Sequence, residues 1–377
     1  MESLKNKTGV VYSALFIFLV ATSFISQEVY AFTVRFDSLI IFLALAVLAL
    51  PYIRDDLAKR DPDLIMILLV ILLSAVFAVL VHSGYGAVLI PSDLALISYM
   101  TKHIRLNKMN RFIISFAGSA PVALWYSHVR WSYNFNMAGF AFMLMAYFGM
   151  LLMEIGAENE TVNVKLKGFL EAVIFITGFI LSMLYHSRTA MFGMLMFGVV
   201  YILFEVMLTN KPVLRIVLFF ASAGAVIFTV VYIRLAAAFG GVTVLYKDVF
   251  SGREGIWSEL WEAFLRQPVT GIGSAYELKS FEIFEVHNGL YDILTVHGII
   301  VFILVVVLLW RMLERACQSG LHNNNHIGRI AFSAALSMMF TSYFENFFTV
   351  PPYSFIFMTF VLFLHSGGTE RLDREKF

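Results

Sequence analysis

The stretch EVHNGLYDILTVHGIIVFILVVVLLW, Glu285 to Trp310, settles what kind of protein this is. From Tyr291 onward it is an almost unbroken apolar run of the length that crosses the hydrocarbon of a bilayer, which takes roughly 20 residues. Such a run has no place on the surface of a water-soluble domain. Immediately ahead of it stand His287 and Asn288, a titratable ring and an amide at the threshold of the apolar phase.

The rest of the chain repeats the pattern. Of 377 residues, 60% are hydrophobic and only 14% charged, and the mean hydropathy is +0.80. Soluble domains carry about a quarter of their residues charged. Apolar runs lie at 9–25, 38–53, 64–82, 86–101, 112–127, 137–154, 168–185, 190–208, 213–233, 291–310, 330–345 and 352–366. They predict an all-α polytopic membrane protein with about twelve transmembrane helices, a single transmembrane domain over residues 1–377. Pro91 and Asp93 interrupt the fourth run, Pro121 interrupts the fifth, and the eleventh is short. No small-residue cleavage pattern follows the first run, which reads as a retained helix and not as a removed signal peptide.

The net charge of +1 provides no broad field, so nucleic acid is not an expected partner and electrostatic function must be local. Cys317 is the one cysteine, which excludes an intramolecular disulfide and a thiolate-rich metal site. His322 and His326 have metal-pair spacing, but three asparagines lie between them and no carboxylate does.

With both termini cytoplasmic, most of the 27 Lys and Arg residues fall on the inner face, as the positive-inside rule requires. Arg35, Arg130 and Arg188 stay outside, together with Arg234, Lys247, Arg253, Arg266 and Lys279. Cations disfavoured there need a reason. An anionic ligand at the outer surface is one; for Arg35 and Arg130, snorkelling to lipid phosphates is another.

Only one outer connection is long, the segment 234–291, and specific chemistry concentrates in such loops. Within it, SGREGIWSELWEAFLRQP predicts a helix: Ser251 and Glu254 have capping-box spacing, Pro268 ends the run, and Ile256, Trp257, Leu260, Trp261, Phe264 and Leu265 share a face. The helix is expected along the membrane surface, its apolar side packing on the bundle or meeting substrate. Gly271 and Gly273 then mark a tight bend.

In order and spacing these residues resemble the O-antigen ligase and polymerase superfamily of polytopic membrane glycosyltransferases. The resemblance runs through His186-Ser187-Arg188-Thr189-Ala190, Ser251-Gly252-Arg253 with Trp257, Pro268-x-x-Gly271-x-Gly273, and His287-Asn288 leading to Gly298. Asn134-Phe135-Asn136-Met137-Ala138-Gly139 is similar to the Asn-Pro-Asn-x-x-Gly element of polymerase members, with Phe135 in place of proline. The resemblance implies sugar transfer from a polyprenyl-diphosphate-linked oligosaccharide to a second such molecule, at the outer face of a bacterial cytoplasmic (inner) membrane. It implies inversion at the anomeric carbon, and it leaves room for a chain-length regulator as partner.

Such a reaction must stabilise the charge leaving with the diphosphate and activate an acceptor hydroxyl. No Asp-x-Asp pair stands in the long loop, so neither a metal nor another cofactor is expected, and guanidinium groups must hold the phosphates. Arg188 and Arg253 are the candidates, with Arg234 third. Arg188 is otherwise a turn residue, and Arg253 a cation in a first helical turn, where the helix dipole opposes it. An imidazole titrates near neutrality, so His287 is the candidate general base; otherwise it caps the following helix. Asn288, His186, Asn136 and Trp257 are candidate substrate contacts. Glu254 is an alternative base or a capping residue, Asp292 could orient His287, and Asp93 and the pair Glu345-Asn346 are polar groups that could line a cavity.

Two rivals remain open on sequence grounds: an O-antigen ligase with lipid A core as acceptor, and a lipid-linked oligosaccharide flippase. A transporter would show repeated halves and midplane charges, whereas the unusual polar residues here gather at the outer rim.

Overall fold

The computed structural model describes residues 2–119, 135–158, 163–239, 243–244, 247–248, 250, 252–280, 286–321 and 326–366. Arg130, Asn134, Ser251, His322 and the Pro121 break lie outside these residues. The helices are α1 (Glu2–Phe24), α2 (Gln27–Ala58), α3 (Pro62–Leu80), α4 (Gly86–Met100), α5 (Lys108–Ser119), α6 (Phe135–Ala157) and α7 (Val164–Leu184). They continue as α8 (Arg188–Thr209), α9 (Lys211–Ala221), α10 (Gly224–Phe239), α11 (Arg253–Arg266), α12 (Gly289–Leu321), α13 (His326–Thr341) and α14 (Pro351–Ser366). Between α10 and α11, β1 (Thr243–Val244) and β2 (Lys247–Asp248) form a two-residue antiparallel ladder.

Among the described residues, seven helices, α1, α2, α3, α6, α7, α8 and α12, are long and apolar enough to cross a membrane. The pair α9–α10 meets the same test only when taken together, bent by 55° at Ser222–Ala223, which brings the described spans to eight at most. There the hydroxyl of Tyr343 donates to Phe220 O, and Ser222 Oγ donates to Leu218 O at 2.6 Å, so carbonyls exposed by the break find partners. The remaining expected runs appear in shorter helices: α4 has 15 residues, α5 has 12, and α13 and α14 have 16 each. At 1.5 Å per residue even 16 residues rise only about 24 Å, short of the ~30 Å hydrocarbon core. The chain is a multi-pass membrane protein.

Local chemistry sets the helix ends. Asp61 caps α3 through bonds from Asp63 N (2.9 Å) and Leu64 N (3.2 Å), with Pro62 at the first position where its missing N–H costs nothing. Ser187 caps α8. Gly252, with a left-handed φ of 79°, starts α11 without a side-chain cap of its own, and the expected capping residue Ser251 lies outside the described residues.

Packing places α6 at the centre, with α5, α7, α8 and α13 around it. α7 is peripheral: Val164, Phe169, Ile176 and Leu184 face outward, while Glu171, Gly178 and Ser182 turn inward. α8 and α13 adhere closely through small and hydroxyl residues, as helices in lipid do. Ser337 Oγ donates to Gly193 O at 2.6 Å and meets Tyr147 OH at 2.7 Å. A Cβ on Gly193 would lie 2.5 Å from Thr341 Oγ1. This register brings the start of α8 beside the segment that follows α13.

The long loop is anchored in a kink of α12. Gly298 has φ 83° and ψ 167°, which frees carbonyls of the preceding turn. Ile272 N donates to Thr295 O (2.9 Å), Gly273 N to Val296 O (3.1 Å), and Ile299 N to Pro268 O (2.9 Å). A Cβ on Gly298 would stand 2.1 Å from Val269 O, so only glycine admits the bend at Gly271 and Gly273 to this depth.

Candidate functional site

Four elements meet at Glu345, in the turn after α13. Its Oε1 accepts from Asn136 Nδ2 of α6 at 2.7 Å, Thr189 Oγ1 of α8 at 3.3 Å and Arg253 Nη2 of α11 at 3.2 Å. Its Oε2 lies 3.2 Å from His287 Nδ1, just before α12. Each approach has a local cause. Gly139 packs against the α7–α8 turn, where a Cβ would lie 2.1 Å from Ser187 Cβ, and Asn136, one turn earlier on the same face, thereby reaches Glu345. The Gly193–Thr341 contact, continued one turn outward, sets Thr189 opposite Glu345. Gly289 N donates to Ser342 O at 3.0 Å and to Glu345 O at 3.3 Å, joining the start of α12 to the same turn.

His287 is unusual in its backbone. Among the described residues, four non-glycine residues have φ above zero: Arg60, His82, His186 and His287. The first three each follow the last turn of a helix, where a left-handed residue closes the end; for His186, the bonds His186 N to Met183 O and Ser187 N to Ser182 O are the signature. His287 stands instead just ahead of α12, with a φ of 51°. Left-handed backbone in a bulky residue costs of order 1–2 kcal/mol and concentrates where surroundings demand it.

The electrostatics are specific. Arg253 sits at the first position of α11, where the helix dipole opposes a cation, and Glu345 supplies the counter-charge. Side-chain exposure is 15% for Arg253, 10% for Glu345 and 28% for His287, so the ring is the most open of these three ionisable groups. A carboxylate only accepts hydrogen bonds, so Nδ1 of a neutral His287 carries the hydrogen and Nε2 carries the lone pair. The arrangement offers an oriented base beside a guanidinium.

The other expected site residues divide into two groups. Asn136 joins the cluster directly, and Arg188, half-buried, precedes Thr189 in the first turn of α8. His186 is exposed at the helix-closing position of α7, and Arg234 is exposed on α10 and is not among the residues that meet at Glu345. Asn288 and Trp257 are framework. Asn288 is fully buried, its Nδ2 donating to Thr229 Oγ1 (3.0 Å) and its Oδ1 capping α12 through Tyr291 N (3.1 Å). Trp257 is fully buried among Phe228, Tyr232 and Tyr291, with Nε1 donating to Val286 O at 2.5 Å, so its ring has no face for a sugar. In both, burial and these bonds occupy the polar groups that a substrate contact would use. Asp93 accepts from Ser38 Oγ at 2.6 Å and ties α4 to α2.

The residue that sequence reasoning ranked too low is Glu345. Its one signal is an acid close to an apolar run, which demands a partner without naming it.

Residues 173–306 match a family model described as O-antigen ligase. The matched segment contains Arg188, Arg253 and His287; Asn136 precedes it and Glu345 follows it. No curated protein matches the chain.

Proposed function

We propose, from the premise that the chain belongs to the O-antigen ligase and polymerase superfamily, that it polymerises polyprenyl-diphosphate-linked oligosaccharide repeat units. Its chemistry is a glycosyl transfer. The acceptor is a sugar hydroxyl of an incoming repeat unit, and the donor is the growing glycan on its lipid diphosphate. The reaction takes place at the outer face of a bacterial cytoplasmic membrane, with both termini inside.

One observation carries the reading: Glu345 joins Arg253 to the imidazole of His287. In the transfer step the acceptor oxygen bonds to the anomeric carbon as the bond from that carbon to the diphosphate oxygen breaks. The hydroxyl proton passes to His287 Nε2, and the electron pair of the broken bond leaves on the diphosphate. Arg253 and Arg188 hold that anion, since a guanidinium pairs with phosphate through two parallel N–H donors. Glu345 fixes the ring and balances the imidazolium that forms. Attack opposite the leaving group inverts the anomeric centre.

A second reading is favoured by the description of the matched family, O-antigen ligase, whose acceptor is lipid A core. Purified protein supplied with lipid-linked repeat units alone separates the two. Glycan ladders that lengthen without lipid A core, and vanish in Arg253→Ala and His287→Ala, support polymerisation. Product formed only when lipid A core is added favours ligation. Undiminished outward delivery of repeat units by both variants, with elongation abolished, excludes the transporter reading.

A further inference from the structure

A second charged cluster lies at the other end of α12. From Gly289, beside Glu345, α12 runs on through its kink at Gly298 to Arg311, twenty-two residues later, at most about 33 Å at 1.5 Å each and enough for a bilayer core. There the carboxylate of Asp63, fully buried at the start of α3, receives three cations. Arg311 Nε donates to Oδ1 at 2.6 Å, Lys102 Nζ lies 2.8 Å from Oδ2, and Arg315 Nη1 also donates to Oδ2. Lys102 further binds Asp61 at 2.8 Å. Arg105 stands three residues after Lys102, in the connection from α4 to α5. Its Nη1 donates only to the carbonyls of Thr101 and Ile104. Asp56, the next acid, is engaged by Tyr99 OH at 2.8 Å and His103 Nε2 at 3.1 Å.

Two guanidiniums and an ammonium therefore face two carboxylates, and Arg105 adds a third guanidinium on the Lys102 connection. The donor capacity also exceeds what these acids use. Nη2 of Arg315 is buried without a partner, and Arg311 contributes only Nε while its side chain is 42% exposed. The surface running into the apolar layer from Arg311 is aliphatic: Val307 and Ile303, one and two turns back on the same face, are exposed, as are Leu68, Leu69 and Leu72 on neighbouring α3. Guanidinium donors at headgroup depth above an aliphatic stripe fit a molecule with an anionic head and hydrocarbon tails.

We propose that Arg105, Arg311, Arg315 and Lys102 bind the phosphate of an anionic phospholipid at the membrane face opposite Glu345. A free phosphate shares the head chemistry but would leave the aliphatic stripe unused.

The test is native mass spectrometry and thermal unfolding of the detergent-solubilised full chain with phosphatidylglycerol, phosphatidylcholine of the same chains, or inorganic phosphate. Phosphatidylglycerol is retained and raises the unfolding temperature; the other two do neither. Each cation near an anionic surface is worth about 1 kcal/mol, which at ~1.4 kcal/mol per tenfold makes Arg311→Gln lower retention about fivefold. Arg105→Gln does the same and leaves every ion pair of Asp63 intact, which keeps the test valid if Arg311→Gln fails to fold. Equal retention of both lipids, or wild-type retention in Arg105→Gln, overturns the proposal. Equal stabilisation by inorganic phosphate overturns the assignment to lipid.

Discussion

Replacing Glu345 by glutamine removes one negative charge from the centre of the site while keeping a side chain of the same length. The amide oxygen can still accept from Asn136 Nδ2 and Thr189 Oγ1, so the meeting of α6, α8 and α13 survives. What is lost is the charge-assisted character of the contacts to His287 and Arg253. Hydrogen bonds to charged groups contribute about 1.5–3 kcal/mol against about 0.5–1.5 kcal/mol for neutral ones, a difference of about 1–1.5 kcal/mol. Applied to the transition state, where the ring becomes an imidazolium, that difference converts at ~1.4 kcal/mol per tenfold to a fall in kcat of about 5- to 12-fold. The assay is elongation of lipid-linked repeat units by purified protein, with kcat and KM separated. Without its counter-charge the imidazolium that forms in the transfer step is less stabilised, so kcat falls while KM holds. Glu345→Asp restores part of the rate. A purely structural Glu345 would lower the unfolding temperature and the amount of active protein while leaving kcat per folded molecule unchanged; that outcome refutes the reasoning.

Other substitutions test the remaining parts. Asn288→Ala removes a helix cap that contributes about 1 kcal/mol, and lowers thermal stability with KM per folded molecule unchanged; a raised KM would restore Asn288 as a substrate contact. Arg253→Lys keeps the charge but not the fork, so activity falls less than in Arg253→Ala, as steady-state rates on the same substrate would record. Gly298→Ala meets Val269 O and a positive φ, costing at least about 1–2 kcal/mol, measurable as a lower unfolding temperature in detergent. Asp61 supplies a pH test. Burial raises its carboxyl, but the Lys102 ammonium and the N–H groups of Leu64 and Asp63 outweigh it and hold it below the usual range. The stability so gained is present at neutral pH and lost as pH falls into the acid range, and Lys102→Met flattens that dependence in thermal melts.

Membrane class and helical architecture followed from composition and run length, because the bilayer imposes both. Span length was harder to read. Hydropathy locates an apolar run but not where its backbone bends, so residues 213–233 became two helices parted by a Tyr343-capped break. Arg253 and His287 stood out because their local settings conflict with their surroundings: a cation at a positive helix end, a ring at an apolar threshold. Glu345 did not, since it reaches both only through the α8–α13 register, which depends on Gly193 and Ser337 and not on sequence proximity. Asn288 and Trp257 matched the pattern equally well, yet burial commits them to the frame, and burial of one helix against another leaves no mark in a single chain.

The most direct measurement is a cryo-electron-microscopy map of the protein in nanodiscs with a polyprenyl-diphosphate sugar bound. The diphosphate is expected against Arg253 and Arg188, with the anomeric carbon within reach of a hydroxyl hydrogen-bonded to His287 Nε2. A diphosphate seated elsewhere, with Arg253 still paired to Glu345 and His287 remote from the sugar, would contradict the account.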